Sequence, residues 1–119
     1  MGQLRIEKIQ EFIQQEASKI ILRELKDPRI GFVTVTHTEV TGDLSSAKIY
    51  VSLMGSDEQK AATMEGLKHS LGFLRSEIGK RLKIRHTPEL SIHVDNSLDH
   101  SARIQEILTE LKKEEGQNR

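Results

Sequence analysis

The sequence contains no cysteine and no tryptophan. Without thiols the chain can form neither a disulfide, nor a thiolate zinc site, nor a cysteine nucleophile. The missing cysteines fit a reducing compartment, and the first residues lack the apolar stretch of a secretory signal peptide. No window reaches the apolar length that a membrane span requires. We therefore expect a soluble, cytoplasmic protein that makes no membrane contact.

Recognisable catalytic motifs are also missing. The chain has no nucleophile elbow, no HExxH pair, no P-loop and no dinucleotide-binding fingerprint. Its five histidines are scattered, and the one cluster that suggests a metal site, His93 with Asp95 and His100, matches no known ligand spacing. Surface histidines explain this cluster better. We expect no enzymatic activity, no metal and no cofactor.

Aromatic residues are scarce, with three phenylalanines and one tyrosine. Phe12, Phe32 and Phe73 lie on or beside apolar stripes, which predicts that they pack in the core. Tyr50 lies on the polar side of its predicted strand and is the only candidate for stacking on a nucleobase. One tyrosine is not a stacking platform of the kind that single-strand binders use. We expect little base specificity.

Positive charge is concentrated in one segment, although the formal net charge is zero. Residues 68–88 hold six basic side chains against the single acid Glu77. Such a segment can present a local anion-binding surface, and we predict contacts to RNA phosphates. The plainer alternative is a solvated helix face. The six basic residues are Lys68, Arg75, Lys80, Arg81, Lys83 and Arg85.

Hydrophobic periodicity divides the chain into helices and strands. The first helical stripe ends where Pro28 and Gly31 favour a turn. Two β-branched, alternating segments follow, and the short polar turn between them predicts an antiparallel pair. In chain order, we predict a helix over 4–25, strands over 32–40 and 47–54, a helical stretch from about 58 to 82, a strand over 90–94, and a helix over 98–111.

The long second helical stretch contains Gly66, Gly72 and Gly79, each costing about 1 kcal/mol relative to alanine in a helix interior. They favour a kink, which we place at Ser70-Leu71-Gly72, because serine can cap a restarted helix and Gly72 relaxes the backbone. The order becomes α-β-β-α-(kink)-α-β plus a C-terminal helix. This is an α+β fold whose three-stranded sheet is covered on one face by the long helices. We expect one domain over 1–113 and a mobile charged tail over 114–119.

Several short motifs follow one another along nearly the whole chain. They are ELKDPRIG at 24–31 with VTV at 33–35, DLSSAKIYV at 43–51, GFLRSEIGKRL at 72–82 with RHTPEL at 85–90, and DNS at 95–97. Each motif alone is weak. In this order and spacing they resemble the bacterial ribosome-binding factor A family, whose fold is a type-two KH-like domain.

The resemblance implies a factor that binds the immature small ribosomal subunit and its ribosomal RNA. It further implies that the protein assists processing of the 5′ region of that RNA, notably in the cold. We expect a monomer. The alternative is a protein–protein interaction module without direct RNA contact, in which the first and last helices offer apolar faces to a partner.

One departure concerns the grip on RNA. Ordinary KH domains hold backbone phosphates with a Gly-x-x-Gly loop, and this sequence contains none. The family resemblance implies an Ala-x-Gly kink at that place, where this chain has Ser70-Leu71-Gly72. Serine is small enough to keep the bend, and its hydroxyl competes for backbone hydrogen bonds. We expect the basic residues beside the kink to contact the RNA instead.

Overall fold

The computed structural model describes residues 3–95, and its elements follow the predicted order. Their ends agree with the predicted ends to within two residues. The predicted last helix over 98–111 and the tail over 114–119 lie outside the described residues. The elements are α1 (Gln3–Arg23), β1 (Val33–Val40), β2 (Ser46–Leu53), α2 (Asp57–His69), α3 (Leu71–Arg81) and β3 (Glu89–Val94).

The sheet has the strand order β1-β2-β3. β1 is antiparallel to β2, as predicted, and β3 is parallel to β2. Parallel neighbours need a long crossover connection, and α2 and α3 together provide it. This confirms the predicted α+β, type-two KH-like fold with a kinked helix between the second and third strands.

The hydrophobic core lies between one face of the sheet and the helices. β2 runs through its centre and buries every second side chain against them. α1 contributes a stripe at helical spacing, and α3 contributes Leu74 and Ile78. The fully buried aliphatic side chains include Ile13, Ile20, Ile49, Val51, Leu67, Leu74 and Ile78.

A β-bulge in β1 corrects a mismatch between the strand and the core. Val35 and Val40 are both buried, but they are five residues apart, so strict alternation would turn them to opposite faces. The pairing register shifts between Val35 and His37, which inserts one extra residue at Thr36. As a result Val40 faces the helices and His37 lies on the opposite face.

Two glutamines of α1 satisfy the backbone of the edge strand β1. Gln10 Oε1 accepts a hydrogen bond from the Val40 N–H at 3.0 Å, and Gln14 Nε2 donates to the Thr36 carbonyl at 3.1 Å. The buried Thr38 hydroxyl donates to the Gln10 carbonyl. The polar contacts therefore align α1 along the bulged strand, while its isoleucines enter the core.

The turn between α1 and β1 is held by α2. Asp27 accepts hydrogen bonds from the Arg29 backbone N–H at 2.9 Å and from the Arg29 guanidinium at 2.7 Å. The buried Thr63 hydroxyl accepts from the Gly31 N–H at 3.0 Å and donates to the Arg29 carbonyl at 3.4 Å. Gly66 allows the close approach, because a Cβ there would lie 2.8 Å from Ile30 Cγ1.

We expect Thr63→Val to destabilise the protein by about 1–3 kcal/mol, because the isosteric side chain leaves both backbone partners of the hydroxyl unpaired. Urea unfolding measures the change. Thr34→Val, which alters an exposed threonine of β1, is the matched control and should have little effect. Equal stability of the two variants would contradict this account of the turn.

A second prediction concerns acid stability. Hydrogen bonding to Arg29 lowers the pKa of Asp27 from 3.8 to about 2. Because the folded-state pKa is the lower one, the carboxylate stabilises the fold above its unfolded pKa, and this contribution disappears as the pH falls through about 2. We expect Asp27→Asn to reduce the loss of stability between about pH 4 and pH 2, measured by denaturant titration. An unchanged pH profile would be evidence against the role of Asp27.

Candidate nucleic-acid interface

α2 and α3 are joined by one residue, Ser70. It ends α2 and precedes α3, with φ −90° and ψ 1°. Its N–H and its hydroxyl both donate to the Gly66 carbonyl, at 3.1 and 2.9 Å, and its own carbonyl accepts from the Leu74 N–H at 2.9 Å. The chain therefore changes direction at the first residue of the Ser70-Leu71-Gly72 segment.

Gly72 lies within the first turn of α3 and is not the point of the bend. A Cβ at Gly72 would have no atom within 4 Å, and its backbone is not left-handed. The freedom of glycine is therefore not used at this position, contrary to our expectation that Gly72 relaxes the backbone. The serine side chain bonds back to the Gly66 carbonyl, which also accepts from the Ser70 N–H. It makes no capping hydrogen bond to α3, so the expectation that this serine caps the restarted helix was wrong.

An open cleft of about 540 Å³ lies between α3 and the segment that leads into β3. Arg75 and Lys80 lie on the helix side, and Arg85 and His86 lie on the opposite side. Within residues 3–95, no carboxylate lines the cleft. Three of the six predicted RNA-binding residues therefore lie around one cavity.

Arg81 points away from this cleft and binds α1. Its guanidinium donates to Glu16 at 2.8 Å and to Glu24 at 3.1 Å. The hydrogen bond to Glu16 raises the pKa of Arg81 above its ordinary value. Two carboxylates thus neutralise a side chain that we had grouped with the phosphate contacts, and its position indicates that it ties α3 to α1.

Besides Arg81, the predicted residues that do not line the cleft are Lys68 and Lys83, which are exposed and lie before and after α3 in sequence. Neither forms an ion pair among residues 3–95. Lys80 lies 3.3 Å from Glu77 and is 71% exposed, so water screens this pair strongly. All three lysines can therefore turn toward a phosphate at little cost.

Sequence reasoning did not identify Arg5. This residue of α1 lines a smaller cleft together with Arg85 and His86, and the carboxylate of Asp43 belongs to the same lining. Arg5 and Arg85 are eighty positions apart, so only the tertiary structure could group them. We use the name basic surface for the exposed residues Arg5, Lys80, Lys83 and Arg85.

The aromatic residues are distributed differently from the prediction. Phe12 packs against the core as expected, but Phe32 is 75% exposed and Phe73 is 45% exposed, so their predicted burial was wrong. Tyr50 lies on the open face of the sheet, stacked on His37 with ring centroids 4.3 Å apart. His93 lies on its other side, at 5.5 Å. Neighbouring rings on β1 and β3 thus flank the Tyr50 ring on both sides.

Residues 3–95 contain no group of histidines and acids that could hold a metal ion. No helix within this range is long and apolar enough to cross a bilayer.

Comparison with known proteins agrees with the fold. Residues 5–108 match the family model described as ribosome-binding factor A. A ribosome-binding factor A from Desulforamulus reducens is 52% identical over 111 residues, covering 93% of this chain and 92% of the relative. The crystal structure of ribosome-binding factor A from Thermus thermophilus has a TM-score of 0.65 at 19% identity, covering 75% of this chain and 94% of that one.

A second Thermus thermophilus structure is a homology model fitted into a cryo-electron microscopy map of a complex of the 30S subunit with ribosome-binding factor A. It has a TM-score of 0.59 at 21% identity, and it covers 71% of this chain and 89% of that one. The fold thus defines a KH-like protein that lacks the Gly-x-x-Gly loop. The chain belongs to the ribosome-binding factor A family.

The neighbours Lys80 and Arg81 provide a matched pair of tests, since each substitution by methionine removes one positive charge. We expect Arg81→Met to lower the midpoint of thermal unfolding, because it removes the partner of Glu24 and leaves Glu16 with only the longer pair to the exposed Lys19 among residues 3–95. Lys80→Met should leave the midpoint almost unchanged, because it removes only an exposed pair. Equal midpoints for the two variants would contradict the assignment of Arg81 to the α1–α3 contact.

Proposed function

We propose that the protein is an assembly factor that binds the immature small ribosomal subunit and contacts its ribosomal RNA through the basic surface. Family membership supports binding to the ribosome. The Thermus thermophilus relative fitted into a map of a 30S complex supports the small subunit as the partner. The observation that carries the RNA contact is that Lys80 and Arg85 line one cleft beside α3, and that none of its lining residues within 3–95 is a carboxylate. The exposed Lys83 lies between them in sequence.

The proposed contacts are electrostatic. Lysine and arginine side chains that bind phosphates release condensed counterions, so affinity depends steeply on salt concentration. Phosphate contacts position the RNA and carry no direct sequence information. The flanked ring of Tyr50 is poorly placed to read an unpaired base. Recognition of the correct site therefore depends on the folded shape of the ribosomal RNA and its proteins.

The assistance to RNA processing is proposed as non-catalytic. We infer that the bound factor holds the 5′ region of the ribosomal RNA in a conformation that a separate nuclease can cleave. The requirement for this assistance is greatest in the cold, as the family resemblance implies. The protein acts as a cytoplasmic monomer in this proposal.

A second candidate function is a protein-interaction module, and one observation favours it. Leu22, Phe32 and Met54 are exposed apolar side chains near the loops that join β1 and β2 to the helices. Phe32 and Met54 border an apolar groove of about 640 Å³. Exposed apolar patches on small proteins commonly mark interaction sites. An association with the subunit that is insensitive to salt would favour this candidate.

Co-sedimentation with purified immature small subunits at several salt concentrations tests the first candidate. We expect the double substitution of Lys83 and Arg85 by alanine to weaken association and to reduce the slope of log affinity against log salt by about 1.5 to 2, one increment for each lost phosphate contact. Lys48→Ala removes a positive charge from the open face of the sheet and is the control. Wild-type affinity and slope in the double variant would exclude the basic surface as the contact.

A further inference from the structure

We propose that the cleft beside α3 is a binding site for a phosphate of the RNA backbone, in which Arg85 and Lys80 bind the phosphate and Arg75 acts as a clamp that shapes the site. This inference rests on the proposed function and assigns separate roles to side chains that the sequence groups together. Arg75 is here a positioning residue and not a phosphate ligand.

The position of the Arg75 guanidinium supports the clamp. Its Nε lies 3.3 Å from the Pro88 carbonyl oxygen, and its Nη2 lies 3.1 Å from the Thr87 carbonyl oxygen. Both acceptors belong to the segment that carries Arg85. Pro88 is fully buried, so its ring and the two hydrogen bonds together hold the C-terminal end of the segment against α3. Two donors of the guanidinium are thus already bound to carbonyl groups of the protein's own backbone.

Gly79 supplies the space that this arrangement needs. A Cβ at Gly79 would lie 2.5 Å from the Thr87 hydroxyl oxygen, which is too close for an alanine without movement of the threonine. The segment therefore approaches α3 directly above Gly79, one turn along the helix from Arg75. Together the two contacts set the width of the cleft.

Unlike Arg75, the two residues proposed to bind the phosphate, Arg85 and Lys80, have side chains that are free to contact it. Arg85 is exposed and forms no ion pair among residues 3–95. Within the same range, the one ion pair of Lys80 is the screened contact with Glu77. They approach the cavity from opposite sides, and the part of its lining that the structure describes carries no carboxylate to repel an anion. A phosphate between them would be bound from two directions, which suits a single-stranded backbone entering an open cleft.

The test uses the full chain, a fluorescently labelled single-stranded ten-nucleotide RNA, and anisotropy titrations over a range of salt. We expect Arg85→Ala to weaken binding about three- to tenfold and to lower the salt slope by about 0.7, the value for one phosphate contact on a single strand. Arg75→Lys keeps the charge but loses the fork, and we expect it to weaken binding to a similar degree. Lys48→Ala should bind as the wild type does.

Each contrary result overturns a defined part of the proposal. Wild-type affinity of Arg75→Lys would show that Arg75 acts through its charge and is not a clamp. Wild-type affinity and slope of Arg85→Ala would exclude the cleft, while salt-dependent binding by the wild type would leave the proposed function intact. If the wild type failed to bind the RNA at low salt, both the cleft as a phosphate site and the proposed RNA contact would be excluded. Equal affinity for a mononucleotide would reassign the cleft to a small ligand.

The exposed position of Arg85 makes its alanine variant safe to interpret, because no described partner is lost. For Arg75→Lys, the NMR chemical shifts of the Arg85, His86 and Thr87 amides in the free protein report on the position of this segment. A measurement of overall stability would not. We expect these shifts to change while those of β1 do not. Unchanged amide positions in the segment would overturn the clamp even if binding were weakened.

Discussion

The direction of α3 depends on the hydrogen bonds of Ser70, and the basic surface depends on the direction of α3. Ser70 bonds back to α2 through its N–H and hydroxyl and forward to α3 through its carbonyl. Leu67 before the junction and Leu74 after it are both fully buried. The bend is therefore defined by a polar junction between two anchored helices. A flexible glycine hinge would not hold the cleft residues in fixed positions.

The protein has zero formal net charge, yet it presents a local positive surface. It does so because its acids pair with some of the basic side chains and leave others unpaired within residues 3–95. Glu16 of α1 and Glu24, which follows that helix, pair with Arg81, and Asp27 pairs with Arg29. Arg85 and Lys83 are left without such partners among residues 3–95. Some basic side chains are therefore paired with acids and hold the fold together. Others have no such partner and can bind an anionic ligand.

The sequence predicted the elements well because their signals are local. Helical spacing, β-branched alternation and the serine at the kink identified every element within residues 3–95, and the motifs identified the family. The bulge in β1 was missed, although the odd spacing of Val35 and Val40 contains the signal for it. Parallel pairing of β3 also required the crossover to be seen in three dimensions.

The candidate site was less predictable because charge acts between residues that are distant in sequence. Nothing near Arg81 in the chain indicates Glu16 and Glu24, and nothing near Arg85 indicates Arg5. Phe32 and Phe73 were expected in the core because they adjoin apolar stripes, but each lies one position away from the side that the sheet or helix buries. An apolar stripe in the sequence predicts which side chains are buried only when the orientation of the helix or strand relative to the core is known.

The contacts of Gln10 and Gln14 with β1 have a consequence for self-association. An edge strand with free backbone groups is a template on which another chain can add a strand. Here the Val40 N–H and the Thr36 carbonyl are already bonded to α1, and the bulge interrupts the regular spacing that an incoming strand would need. These features of the fold therefore hinder the addition of another strand to the sheet at the β1 edge.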